Sequence, residues 1–266
     1  MTTSDGVLRL RGTTLGGGTP RVCVPLVAAT PGTAAHAAAT LPPGAADVVE
    51  LRLDHVAGSA DDPDLVRDAV AATRAALPAH VPLLATFRSE REGGAQAADD
   101  DAYAAVVRAV LAGAGRPDGA DAVDVELAAP GAAGLVAAAH DAGLAVVVSH
   151  HDFRRTPPAD EILATLRRQR GTGADVCKVA VMPHDPDDVL ALLIATRAFA
   201  READRPVVTV AMGALGLVSR VAGGVFGSAM TFGSVGTASA PGQVDALRLR
   251  EVLALLHGEE PVPDAG

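Results

Sequence analysis

The apolar positions of this chain fall into short runs that recur along its length. Residues 22–27, 48–53, 82–87, 122–127, 144–149, 176–181 and 206–211 form seven of them, and 229–232 a weaker eighth. These runs are apolar nearly throughout, as expected of strands covered on both faces in a parallel sheet. Between them lie segments whose apolar residues recur three and four apart, the spacing of a helix with one buried face. The clearest are 64–76, 102–114, 132–142, 159–170, 187–203 and 244–257. Pro157-Pro158-Ala159-Asp160 and Asp185-Pro186-Asp187-Asp188 open two of these, with acids where the helix dipole favours negative charge.

Regular alternation of strand and helix predicts an α/β fold with a parallel sheet and right-handed crossovers. Eight such units in about 250 residues match a (β/α)8 TIM barrel. An open doubly wound sheet is the competing topology. A dinucleotide-binding version would often carry a Gly-rich turn after its first strand. Here that strand is followed by Ala28-Ala29-Thr30-Pro31-Gly32, which lacks G-x-G-x-x-G. The Gly- and Thr-rich residues 1–20 read as a short N-terminal hairpin or arm, and 258–266 as a flexible tail. No break in composition marks a boundary, so residues 1–266 are expected to form a single barrel domain.

Composition narrows the function classes. Hydrophobic residues at 49% supply a full core and argue against disorder. A formal net charge of −10 argues against nucleic acid and against an anionic membrane surface as partners, while leaving room for a small anion in a locally cationic pocket. No apolar run approaches the roughly 18 residues of a membrane span. The first residues also lack the basic start and apolar core of a secretory signal. Cys23 and Cys177, with no CxxC and no His/Cys cluster, predict neither a disulfide scaffold nor a zinc site. Reduced, buried thiols in a cytoplasm are the simplest expectation.

Charge inside the strands is more informative. Alternation places Glu50, Arg52 and Asp54 on one face of the second run, either as an internal ion-pair ladder or as a binding site. The third run ends in Thr86-Phe87-Arg88 and a charged stretch through Glu92-Gly93-Gly94, which by itself reads as a solvated loop. Asp124 and Glu126 share a face of the fourth. The fifth ends Ser149-His150-His151-Asp152-Phe153, and alternation lets only one of the two histidines face the barrel interior. Met212, after the seventh run, reads as core packing. Arg220 is either a bidentate carboxylate grip or a surface arginine. Ser239-Ala240-Pro241-Gly242-Gln243 has the hydroxyl, amide and turn of a loop that could close over a ligand.

Of the 22 basic residues only Lys178 is a lysine, and it lies in the middle of the sixth run. A coding bias toward arginine could leave one survivor by chance, or a buried Lys could pair with a strand carboxylate. Alternatively, the position needs an amine. A neutral amine attacks a carbonyl to form a Schiff base, which a guanidinium does not do.

Taken in order, these segments resemble the type I 3-dehydroquinate dehydratase family of the shikimate pathway, over residues from about 22 to 257. Glu50-Leu51-Arg52-Leu53-Asp54, Thr86-Phe87-Arg88 with Glu92-Gly93-Gly94, Asp124-Val125-Glu126-Leu127 and Ser149-His150-His151-Asp152-Phe153 followed by Thr156-Pro157 carry the first half. Asp175-Val176-Cys177-Lys178-Val179-Ala180, Ser219-Arg220, Phe226-Gly227-Ser228 and Ser239-Ala240-Pro241-Gly242-Gln243 carry the second.

The resemblance implies a cytoplasmic homodimer that dehydrates 3-dehydroquinate to 3-dehydroshikimate with no metal and no cofactor. It implies Lys178 as the imine-forming residue, His151 as general base and acid, and Glu92 as the carboxylate that orients His151. It further implies Glu50, Arg52 and Arg88 as positioning groups, Met212 as pocket lining, and Arg220, Ser239 and Gln243 as substrate carboxylate and lid contacts. His150 stands where the family often carries an aromatic residue, and Leu51 and Ser89 also depart from residues common in the family.

Two other classes share some of these features. A class I aldolase-like barrel would share Lys178 but would need neither the Ser-x-His-Asp-Phe strand end nor the lid motif. A non-catalytic barrel that binds an anionic metabolite would tolerate Lys178→Arg. A metal-dependent hydrolase would be expected to carry H-x-H on a strand, which is missing here.

Overall fold

In a computed structural model of the protein, residues 6–236 and 239–258 are described. Residues 1–5 of the expected arm and 259–266 of the expected tail lie outside them.

The chain opens with an antiparallel hairpin of β1 (Leu8–Leu10) and β2 (Thr13–Leu15). The repeating units then follow in order: β3 (Arg21–Val27) and α1 (Pro31–Ala39), β4 (Val48–Arg52) and α2 (Pro63–Ala76), β5 (Leu83–Thr86) and α3 (Asp100–Leu111), β6 (Ala122–Glu126) and α4 (Ala132–Asp141). The second half supplies β7 (Ala145–Asp152) and α5 (Ala159–Gly171), β8 (Val176–Val181) and α6 (Pro186–Glu202), β9 (Val207–Ala211) and α7 (Leu217–Ala222), and β10 (Met230–Ser234). A two-residue strand β11 (Val244–Asp245) precedes α8 (Ala246–His257).

Strands β3 to β9 lie parallel and in chain order, β10 pairs with β3, and β11 extends β10. The ring closes between β9 and the entry to β10. There the Ala229 amide donates to the Val207 carbonyl at 2.7 Å, and Val207 bridges Ser228. This is the (β/α)8 barrel with an N-terminal hairpin that the sequence predicts.

Two cores follow from strand alternation. Outward residues such as Cys177, Val179 and Val181 of β8 pack under the helices, while Val176 and Ala180 of the same strand face a separate inner cluster. Leu8 and Leu15 of the hairpin join that inner cluster beside Cys23, Val48 and Leu84. The hairpin is therefore a hydrophobic plug for the end of the barrel where the strands begin. Cys23 and Cys177 are free thiols, both buried, with burial raising each thiol's pKa.

Four elements differ from the periodic reading. The helices α1 and α7 are absent from it because one is Ala-rich with little polar contrast and the other has only six residues. Segment 244–257 is split, since Val244 and Asp245 pair with Gly233 and Ser234 before Asp245 caps α8. Strand β7 runs to Asp152, three residues beyond the expected 149, so both histidines belong to the strand. None of the described helices is long and apolar enough to cross a membrane.

Candidate active site

A pocket of about 540 Å³ opens where the barrel strands end, the face on which barrels of this class carry chemistry. It is lined by Lys178, His151, Glu92, Glu50, Arg52, Arg88, Met212, Arg220, Ser239 and Gln243, the ten residues to which the resemblance assigns a role, whereas Asp54, Asp124, Glu126 and His150 stand outside the lining.

Lys178 is buried in mid-strand. Its Nζ stands 3.5 Å from Glu50 Oε1 and 3.9 Å from Asp124 Oδ2, and 4.4 Å from the centre of the Phe232 ring. Thr86 Oγ1 donates to the same Glu50 oxygen at 3.0 Å, and Gln169 Nε2 donates to the Lys178 carbonyl at 2.7 Å. The amine therefore sits over an aromatic face between two carboxylates, with its backbone pinned from behind by α5.

Below it, the charged residues of β4 and β6 and of the segments that follow β4 and β5 form a buried network. Arg88 donates to Asp124 Oδ1, Glu126 Oε1 and Ser149 Oγ, each at 2.9 Å. Burial alone would make this guanidinium easier to deprotonate, but Asp124, Glu126 and Glu92 outweigh it and raise its pKa well above the ordinary value. Burial likewise favours a protonated Asp124, and Arg88, Lys178 and His151 reverse that, lowering its pKa. Arg52 forms a two-pronged pair with Asp54 at 2.7 and 2.8 Å. The charges thus form the internal network that one reading of these strands expects, and three of its members, Glu50, Arg52 and Arg88, also line the pocket.

The solvated-loop reading of the segment after β5 does not hold. Glu90 and Arg91 are exposed, but Arg88, Ser89 and Glu92 are buried. Ser89 donates to Glu126 from both its amide and its hydroxyl, which folds the turn inward. Gly94 completes that turn with its amide on the Ser89 carbonyl at 2.8 Å, and a Cβ there would collide with the Arg88 carbonyl. Gly93, at φ 83°, takes the left-handed conformation and lies beneath the Phe153 ring. The pair of glycines is what lets Glu92 turn back over the end of β7.

There Glu92 Oε2 accepts from His151 twice, from the amide at 3.0 Å and from Nδ1 at 2.9 Å. With Nδ1 committed to the carboxylate, Nε2 is left for the pocket. Burial, then the nearby Arg88, lowers the His151 pKa to about 4 against the upward pull of Glu92. The imidazole is therefore neutral and able to accept a proton at neutral pH. Burial would raise Glu92, but the two histidines and Arg88 prevail and hold its carboxyl below the usual range.

The rim is supplied by the loops after β9 and β10. Gln243 Oε1 accepts from the Ser239 amide at 2.9 Å, and its Nε2 donates to Ser239 Oγ at 3.0 Å. This loop rests on the barrel through the Gly213 amide, which donates to the Pro241 carbonyl at 3.2 Å. Gly242 comes so close to Gly213 that no side chain would fit. Arg220 donates to the Pro241 carbonyl at 3.0 Å, yet among the described residues no carboxylate pairs with it. Its Nε is buried without a partner, and burial lowers its pKa to about 10. An unpaired buried guanidinium is costly unless an anion completes it.

Comparison with known proteins decides the family. The profile of type I 3-dehydroquinase matches residues 22–260. The chain belongs to the type I 3-dehydroquinase family. It is a hydro-lyase of that type. A 3-dehydroquinate dehydratase of Klebsiella pneumoniae is 46% identical over 238 residues, covering 88% of this chain and 92% of the relative. One from Listeria innocua is 44% identical, covering 93% and 97%. Among solved structures, a type I 3-dehydroquinate dehydratase from Clostridium difficile with covalent modified comenic acid superposes with a TM-score of 0.88 at 34% identity. It covers 97% of this chain and all of that one. The Enterococcus faecalis 3-dehydroquinate dehydratase gives 0.85 at 36%, covering 94% and 99%.

The contacts of several supporting groups, some of them within the quoted motifs, are not legible in the sequence. Thr86, Ser149 and Ser89 position the carboxylates, and Phe232 lies against Lys178. Phe232 was in principle reachable, because it stands two residues after the inward-facing Met230. Ser89 carries no sequence signal, since it lies outside any periodic element.

Proposed function

We propose that this 3-dehydroquinase dehydrates 3-dehydroquinate to 3-dehydroshikimate through an imine on Lys178. The observation that carries the reading is that the chain's sole lysine is buried at the pocket, which it shares with a neutral His151 held by Glu92. Nζ of Lys178, as the free amine, adds to the substrate ketone, and loss of water gives the iminium. His151 takes the proton from the carbon beside it, and the electron pair moves into the iminium to give an enamine. The hydroxyl one carbon further on leaves, taking that proton back from His151 as water. Hydrolysis of the conjugated imine returns the amine and the product. Glu50 and Asp124 balance the charge of the iminium, while Arg52 and Arg88 position the ring. Reduction with sodium borohydride in the presence of 3-dehydroquinate is the direct test, read as intact mass.

Arg220 supports the reading as the counter-ion for the substrate carboxylate. We expect Arg220→Ala to lower kcat/KM about 10- to 100-fold, the scale of a charged hydrogen bond, mostly through KM. Unchanged KM in steady-state kinetics would remove Arg220 from this role.

The functional unit is proposed to be a cytoplasmic homodimer. Leu190 and Ile194, one turn apart on α6, are 54% and 61% exposed, and Val225, after α7, is 59% exposed. Sedimentation at micromolar concentration should give about twice the chain mass, and a monomer there would rule the dimer out.

A further inference from the structure

Glu92 has two oxygens, and only one of them is satisfied by the pair with His151. Oε1 is buried and accepts no hydrogen bond. Buried carboxylate oxygens are seldom left so. The polar atom facing it is Nδ1 of His150, at 3.4 Å. Simple alternation sends the side chains of His150 and His151 to opposite sides of β7. Glu92, carried to the strand end by the turn after β5, nevertheless faces both, with Oε1 toward Nδ1 of His150 and Oε2 toward Nδ1 of His151. His151 is enclosed in the pocket, while the His150 side chain remains about one-third exposed.

We propose that His150 is a second positioning residue for the reaction, its Nδ1–H supplying the missing partner of Glu92 Oε1 and so holding one carboxylate between two adjacent imidazoles. This rests on the reading of His151 as the base. With Oε1 held, the carboxyl plane cannot rotate, and Oε2 stays aligned with Nδ1 of His151. The donor also draws negative charge from the carboxylate, which limits how strongly Glu92 can stabilise the imidazolium form of its neighbour. The other charged groups around the pair are Arg88 at 3.5 Å from Oε2, and beyond it Asp124, Glu126 and Lys178.

The test compares His150→Leu with His150→Asn in the full-length enzyme. Asn places its side-chain amide nitrogen where Nδ1 stands, and Leu fills the space without a donor. In the Leu variant kcat should fall about three- to tenfold, the range for one lost hydrogen bond, with KM within about twofold. The acid limb of kcat/KM should move to higher pH, because an unshared Glu92 holds the His151 imidazolium more tightly. The Asn variant should recover kcat and the native limb. A Leu variant with native kcat and native pH profile overturns the proposal, as does an Asn variant no better than Leu. Borohydride trapping on Lys178 separates the two levels of inference. If the native enzyme forms no adduct the imine reading itself fails, whereas normal trapping with an inert His150 removes only this residue.

Discussion

Lys178→Arg should abolish turnover while leaving the barrel folded. The substitution keeps the positive charge between Glu50 and Asp124 and the contact with the Phe232 ring, so its effect on packing is confined to a few atoms in an open pocket. What it removes is the ability to become a neutral nucleophile, because a guanidinium does not deprotonate in a protein. Without the iminium, the proton beside the ketone keeps its high intrinsic acidity barrier, and positioning alone cannot make up the difference. The loss in kcat should therefore exceed about 10⁴-fold, the upper end of what a general base alone contributes. Mass spectrometry gives an independent readout. With Lys178 as the only lysine, borohydride reduction can tag just this side chain or the N-terminus, and peptide mapping separates them. An Arg variant that still turns over would sink the imine mechanism.

Removal of the base should be nearly as damaging. His151→Ala is expected to lower kcat about 10²- to 10⁴-fold, with substrate trapping on Lys178 retained but slowed. The native pH profile follows from the environment of the ring. Burial and Arg88 lower its pKa to about 4 from 6.5, so the neutral, proton-accepting form persists well below neutrality. Accordingly kcat/KM should stay level down from pH 7 and fall only as pH approaches about 4. An acid limb centred near 6.5 would show that His151 is not held neutral.

The same shift has a consequence for stability. Between about pH 6.5 and 4 the unfolded chain binds a proton at this histidine that the folded chain refuses. Stability should therefore rise with pH across that window, by up to about 3 kcal/mol from this group. Denaturant melts of the native enzyme and of His151→Ala at pH 4.5 and 7 measure the difference, which should shrink in the variant.

The recognisable motifs map onto this chemistry unevenly. Thr86-Phe87-Arg88 and Asp124-Val125-Glu126 matter because their charged members meet across strands. Arg88 reaches Glu126 and Asp124 from residues 38 and 36 positions away in the chain. Glu92-Gly93-Gly94 matters because two glycines permit a turn that no other residues would fit. Ser239 to Gln243 packs at the pocket rim because Gly242 lies directly on Gly213.

The sequence alone determined the order of the eight barrel strands and of six of the helices, because burial on two faces leaves a continuous apolar run and burial on one leaves a period of three to four. It also marked the catalytic candidates, because charge within an apolar strand needs compensation wherever the strand goes. Tertiary structure decided which charges compensate each other. Arg88 and Glu92 look solvated in the chain and are buried in the barrel, since only the order of neighbouring strands sets acids from β6 beneath them. The two histidines look opposed in a strand and yet share one carboxylate, since Glu92 arrives from a different unit. Pairing of this kind depends on which segments become neighbours in space, and local periodicity carries no record of it.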